Sequence, residues 1–271
     1  MKNLKIHRDK GPKIQINIHD FTIGGDEKII ISGPCAIESY EQMDEIAKNL
    51  KAMGVHMLRG GAFKPRTSPY DFQGLGEEGL KILKEIGEKY DMPIITEILD
   101  PRDIETYKDY MDIIQIGSRN MYNYSLLKEV GRQEKPVLLK RGISANIKEW
   151  LMAAEYIVNE GNEKVILCER GIRSFETITR NTLDLNAVAY VKENFRLPII
   201  VDPSHGTGLR ELVKNMSIAG LCAGGDGLII ESHINPDKAI SDARQTISME
   251  TLKDIVTCIK NMENVGVFTQ L

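Results

Sequence analysis

Eight short apolar runs, at residues 28–32, 55–59, 93–97, 112–116, 136–140, 164–168, 198–202 and 227–231, recur along this chain, each followed by turn-forming residues. None alternates polar with apolar positions as a half-exposed strand does, so each reads as a strand buried on both faces. Amphipathic stretches separate them. The first carries Met43, Ile46, Ala47, Leu50 and Met53 on one helical face, behind Ser39 and Gln42 spaced as a capping box. A later one carries Ile147, Trp150, Leu151, Ala154, Ile157 and Val158, with Ser144 placed to cap its start, and residues 249–262 supply the eighth helix. Strands joined through helices pair in parallel. Eight such units close most simply as a (β/α)8 TIM barrel, an α/β fold, with an open doubly wound sheet as the alternative, and 271 residues suit one barrel.

Upstream, Ile14, Ile16 and Ile18 alternate with polar residues, and Gly24-Gly25-Asp26 offers turn chemistry. Residues 13–27 therefore read as a short β-hairpin able to plug the bottom of the barrel. The expected division is an N-terminal extension over 1–27 and a catalytic barrel over 28–271. With 42% apolar and 27% charged residues and a net charge of −4, nothing favours nucleic acid or an anionic membrane. No apolar run approaches the roughly 20 residues that span a bilayer, and residues 1–13 are polar rather than signal-like, so a cytoplasmic location is expected. The four cysteines are scattered without a Cys-x-x-Cys, which argues against a disulfide framework or a structural zinc module.

Barrel enzymes build their sites from the loops that follow the strands. Those loops hold Gly33-Pro34-Cys35, Arg59-Gly60-Gly61, Glu97, Gly117-Ser118-Arg119-Asn120, Lys140-Arg141-Gly142, Cys168-Glu169-Arg170-Gly171, Asp202-Pro203-Ser204-His205 and Glu231-Ser232-His233, with Asp242 further on. Arg59, Lys64, Arg66, Arg119, Lys140 and Arg170 would repel one another in a partly dry pocket unless anions bind there. Guanidinium groups match carboxylate and phosphate oxygens in pairs, and there are more cations than one phosphate needs, so two anionic substrates are expected. Cys35, His205, Glu231 and Asp242 lie on loops 1, 7 and 8, which are neighbours in a closed barrel. Their S, N, O, O set is too soft for a dedicated magnesium or calcium cage and suits manganese, iron, cobalt or zinc. His233 is a candidate to support that set from behind, and His56 reads as a structural histidine.

Gly33-Pro34-Cys35, the run from Arg59 through Lys64-Pro65-Arg66-Thr67-Ser68, Asp202-Pro203-Ser204-His205 and the Glu231 to Asp242 segment resemble the 3-deoxy-D-arabino-heptulosonate 7-phosphate (DAHP) synthases, in particular the compact type I-beta branch. The resemblance implies a metal-dependent barrel that condenses phosphoenolpyruvate with erythrose 4-phosphate at the entry to the shikimate pathway. It places one divalent ion on Cys35, His205, Glu231 and Asp242. Phosphoenolpyruvate would lie on Arg59, Lys64, Ser118, Arg119, Lys140, Arg170 and His205, and the aldose phosphate on Pro65, Arg66 and Thr67. Lys64 would supply a proton and Glu97 would order a water. Homodimers or homotetramers are implied. The 3-deoxy-D-manno-octulosonate 8-phosphate synthases, which use arabinose 5-phosphate, are similar but typically carry Lys-Ala-Asn-Arg-Ser-Ser where this chain has Lys64-Pro65-Arg66-Thr67-Ser68. Ile234 stands where the family often has proline. Residues 1–27 are too few for a fused ferredoxin-like or chorismate mutase module, so direct inhibition by aromatic amino acids is not expected.

Overall fold

The computed structural model describes residues 1–269, so positions 270–271 of the expected barrel lie outside the described residues. Two antiparallel strands, β1 (Ile16–Ile18) and β2 (Phe21–Ile23), precede eight parallel ones: β3 (Ile29–Gly33), β4 (Met57–Arg59), β5 (Ile94–Glu97), β6 (Ile113–Ile116), β7 (Val137–Lys140), β8 (Val165–Glu169), β9 (Ile199–Val201) and β10 (Gly227–His233). Each of the eight overlaps one of the apolar runs. β10 pairs with both β9 and β3, which closes the barrel and rules out an open sheet. A two-residue strand, β11 (Ile247–Ser248), pairs in parallel with the end of β10.

The helices are α1 (Tyr40–Met53), α2 (Glu77–Tyr90), α3 (Ile104–Tyr107), α4 (Tyr124–Gly131), α5 (Ile147–Asn159), α6 (Leu185–Asn194), α7 (Pro203–Thr207), α8 (Arg210–Cys222) and α9 (Met249–Asn264). The expected caps are corrected in detail. Ser39 does cap α1 by accepting from the Gln42 backbone N–H, but the Gln42 side chain accepts from Glu38 rather than returning to Ser39. Asn146, not Ser144, caps α5, in a reciprocal box with Glu149. Ser144 sits too far upstream, because the turn 142–145 is already closed by a bond from Ala145 N to Gly142 O.

Parity along each strand divides the core in two. Ile30, Leu58, Ile114, Leu139, Leu167, Ile199 and Ile230 pack outward against the helices. Their neighbours Ile29, Ile31, Met57, Ile95, Ile113, Leu138, Ile166, Cys168, Ile200 and Ile229 fill the barrel, and Ile16, Ile18, Phe21 and Ile23 of the hairpin join that inner cluster. The hairpin thus plugs the bottom. Its turn is His19-Asp20, with His19 in the left-handed region (φ 45°), rather than Gly24-Gly25-Asp26 as the sequence suggests. Those glycines instead lead the chain from the plug into β3, where Gly24 (φ 84°) passes close to the Ile14 carbonyl.

Candidate active site at the barrel mouth

The same inward parity that supplies apolar side chains at the bottom supplies polar ones at the top. Above Met57 comes Arg59, above Ile95 Glu97, above Ile113 Gln115, above Leu138 Lys140, above Cys168 Arg170, above Ile200 Asp202, and above Ile229 Glu231. Of these, Arg59, Glu97, Gln115, Lys140 and Arg170 line a cavity of about 250 Å³, together with Cys35, Lys64, Pro65, Arg66, Thr67, Ser118, Arg119, His205 and Asp242. Every expected substrate residue therefore reaches one mouth, and Glu231 lies behind its wall.

Three of the expected metal donors, Cys35 Sγ and oxygens of Glu231 and Asp242, lie within 4.8 Å of one another. His205 Nε2 is 3.5 Å from Glu231 Oε1 and 3.9 Å from Asp242 Oδ2. Local sequence explains the histidine's placement. Asp202 accepts from the His205 backbone N–H at 3.0 Å and so caps α7, Pro203 suits the first helical position, and one turn aims His205 into the mouth. Asp202 Oδ2 also meets His205 Nδ1 at 2.8 Å and Lys140 Nζ at 2.7 Å. Although burial opposes ionisation, His205 and Lys140 hold the Asp202 carboxyl well below its usual range. Burial pushes His205 down, despite Asp202 and Glu231. A neutral ring that donates its Nδ1–H to Asp202 as a hydrogen bond keeps a lone pair on Nε2, the arrangement in which histidine ligates metal.

Cys35 is buried, and burial together with Glu231 pushes its thiol up to about 12. It donates to Asp242 Oδ2 at 3.2 Å and accepts from Lys64 Nζ at 2.9 Å. A soft sulfur beside a histidine nitrogen and two carboxylates suits a borderline divalent ion, and such an ion would displace the thiol proton. The donor set therefore fits a metal. Against the pull of burial, Cys35 and Glu231 hold the Lys64 ammonium above its ordinary range, so it remains a proton donor. Burial moves Glu97 the other way, up, more than Lys64 and Lys140 pull it down.

Two buried guanidinium nitrogens, Arg59 Nη1 and Arg66 Nε, have no hydrogen-bond partner among the described residues. A buried unpaired donor costs roughly 1–3 kcal/mol, more when charged, and a bound anion would satisfy both. Arg59 is otherwise held by Glu231 at 3.1 Å, and Arg66 by Ser241 at 3.0 Å and, beyond hydrogen-bond distance, by Asp71, whose Oδ2 lies 3.9 Å from Nε.

Not every expectation holds. His233 is buried beside Gln42 (3.0 Å), accepts from Asn235 N and does not line the mouth, so it does not back the metal set. His56 is structural, as expected, accepting from Ile30 N and facing Glu27. Several lining or supporting residues escape sequence reasoning, among them Thr96, Asp71, Gln115, which donates to Glu97 at 3.3 Å, Arg180 and Gln245. Gln115 and Gly117 share the inward parity of β6, a signal the sequence does contain. Arg180 and Gln245 sit in long loops, where no period fixes direction.

Gly117 carries a consequence. A Cβ there would lie 2.0 Å from Glu97 Oε1, so Gly117→Ala must displace the Glu97 carboxylate. Since misplacing a reacting group by about 1 Å can cost on the order of 100-fold in rate, Gly117→Ala should lower kcat about 100-fold with little change in thermal stability. Unchanged kcat in steady-state assays would separate Glu97 from the chemistry.

The DAHP synthetase I family matches this chain over residues 8–266. A phospho-2-dehydro-3-deoxyheptonate aldolase from Thermotoga maritima is 50% identical over 247 residues, covering 91% of this chain and 73% of its own length. A 2-dehydro-3-deoxyphosphooctonate aldolase from Francisella tularensis subsp. holarctica is 29% identical over 275 residues, covering 92% of this chain and 97% of its own. Among solved structures, the Thermotoga maritima DAHP synthase superposes with a TM-score of 0.94 at 47% identity over 98% of this chain and 78% of that one. A truncated form of the Thermotoga maritima enzyme gives 0.90 at 44% identity over 96% of each chain. With the barrel, the mouth and these likenesses agreeing, the chain belongs to the DAHP synthetase I family.

Proposed function

We propose that this protein condenses phosphoenolpyruvate with D-erythrose 4-phosphate and water, giving DAHP and inorganic phosphate, the first step of the shikimate pathway to aromatic amino acids. The observation that carries this reading is the meeting, at one mouth, of Cys35, His205, Glu231 and Asp242 with a cluster of arginines and lysines that retains unpaired buried donors. Cys35, His205, Glu231 and Asp242 would hold one divalent ion, manganese, iron, cobalt or zinc. When bound, it supplies Lewis-acid polarisation of the aldehyde oxygen.

The chain's own residues do the rest. Arg59, Ser118, Arg119, Lys140 and Arg170, with Lys64 and His205, hold the carboxylate and phosphate of phosphoenolpyruvate, while Pro65, Arg66 and Thr67 hold the aldose phosphate. As C3 of the enol bonds to C1 of the aldehyde, the Lys64 ammonium gives its proton to the aldehyde oxygen. Glu97, whose carboxylate burial has made more basic, orders the water that adds to the C2 cation and takes up the proton that the water loses. The hemiketal phosphate then loses inorganic phosphate by C–O cleavage, with Lys140 and Arg170 offsetting the charge that develops. A Schiff-base route through Lys140 fits less well, since its ammonium is engaged by Asp202 at 2.7 Å.

A homo-oligomer goes with this reading, supported by exposed Tyr122, Tyr124, Met152 and Tyr156 on and beside α4 and α5. A cytoplasmic location goes with the proposed biosynthetic reaction. Among the described residues, no helix is long and apolar enough to cross a membrane.

The test offers phosphoenolpyruvate with either erythrose 4-phosphate or arabinose 5-phosphate to chelated and manganese-restored protein. Phosphate release should require metal and favour erythrose 4-phosphate by at least about 100-fold in kcat/KM, a lower bound, since a site built to hydrogen-bond its substrate discriminates by up to about 10⁴–10⁵-fold. Preference for arabinose 5-phosphate would transfer the assignment to the octulosonate reaction.

A further inference from the structure

Glu231 and Asp242 stand eleven positions apart in sequence, yet one guanidinium reaches toward both. Arg180 Nη1 donates to Asp242 Oδ1 at 3.3 Å and to Gln245 Oε1 at 2.8 Å, and Gln245 Nε2 in turn donates to Glu231 Oε2. In each case the contact falls on the oxygen turned away from the other donors. The other oxygen of Glu231, Oε1, accepts from Arg59 Nη2 at 3.1 Å and meets His205 Nε2 at 3.5 Å, and that of Asp242, Oδ2, meets Cys35 Sγ at 3.2 Å.

The relay has a fixed direction. Gln245 is buried, and only with its NH2 toward a carboxylate and its oxygen toward a guanidinium are both neighbours satisfied. Turning the amide over would set oxygen against oxygen and NH2 against a cation. Arg180 is fixed in its own way, since its backbone N–H donates to the Thr207 carbonyl of α7 at 2.9 Å and its Cβ packs on Gly208, which has no side chain to block it. The helix that carries His205 and the loop that carries Asp242 are therefore held to the same residue. The two carboxylates repel each other, and a guanidinium touching one directly and the other through an amide offsets that repulsion while leaving the inner oxygens turned toward His205 and Cys35.

We propose that Arg180 and Gln245 act as one positioning unit that sets Glu231 and Asp242 for metal binding. The inference rests on the metal site proposed above, and the test is arranged to separate the two. Manganese dissociation constants are measured on the whole chain by the EPR signal of free Mn²⁺, with thermal unfolding of each metal-free variant as the check on folding.

The wild-type protein should bind one Mn²⁺ per chain and Cys35→Ser should lose it. Removing groups that orient a metal ligand typically weakens affinity about 10–100-fold, and Arg180→Ala and Gln245→Leu should each do so. The double variant should be no weaker than about the weaker single, because either change breaks the same relay. Arg180→Lys, whose ammonium can reach the same two acceptors, should recover most of the affinity. Arg180→Ala lies on an exposed loop and keeps the test valid even if Gln245→Leu fails to fold.

Unchanged Mn²⁺ affinity in Arg180→Ala, with binding still lost in Cys35→Ser, would overturn the positioning unit and leave the metal site standing. A raised KM for the aldose phosphate with unchanged Mn²⁺ affinity would overturn it as well, making Arg180 a substrate contact. Wild-type protein that takes up no Mn²⁺ would sink both.

Discussion

Cys35→Ala should reduce metal-dependent phosphate release by roughly 1000-fold, the equivalent of about 4 kcal/mol of lost transition-state stabilisation and the scale on which a Lewis acid contributes. The fold should survive. The substitution removes one sulfur from the edge of the mouth, and Lys64 Nζ keeps its second acceptor, the Cys35 carbonyl oxygen at 3.0 Å. The proton donor thus stays in place while the donor set falls from four members to three, none of them soft. The assay is phosphate release in chelated and manganese-restored protein beside urea unfolding. Near-normal turnover by the chelated variant would contradict the metal assignment.

The second large effect is on stability and falls one residue from a proposed substrate contact. Arg141→Met should cost about 3–5 kcal/mol of folding free energy, the usual penalty for removing one partner of a buried ion pair. Arg141 Nη1 meets Glu169 Oε2 at 2.8 Å and Asp184 Oδ2 at 2.9 Å, its Nε donates to the Ala145 carbonyl at 3.0 Å, and its guanidinium lies 5.8 Å over the Trp150 ring. Without it the fully buried Glu169 retains chiefly the Gly171 backbone N–H at 2.7 Å. Equilibrium urea unfolding measures the loss, and pairing the change with Glu169→Gln should restore part of it. A loss below about 1 kcal/mol would mean that the rest of the shell compensates Glu169.

Lys140 and Arg141 show what one sequence position decides. Both are cations at the end of the same strand, and as residue types they are equal candidates for an anion site. Alternation sends Lys140 into the barrel toward Asp202 and Arg141 behind the sheet toward Glu169 and α5. The same rule makes Gln115 legible, because it lies between Ile113 and Gly117 on the inward face that β6 carries up to the mouth. It does not reach the loops. Ser144 and Asn146 are both sound caps by type, and backbone closure at Ala145 selects the second.

The sequence by itself determined the eight buried strands, their parallel order, the end of the barrel that carries chemistry and the residue types gathered there. Those follow from local periodicity and from the rule that barrel sites form after the strands. Tertiary structure alone decided which loop side chains turn inward: Arg180 and Gln245 toward Asp242 and Glu231, His233 away toward Gln42. In a strand, direction is fixed by neighbours one residue apart. In a loop it is set by partners that arrive from elsewhere in the chain, as Arg180 meets Gln245 across 65 positions, and no local pattern records that meeting.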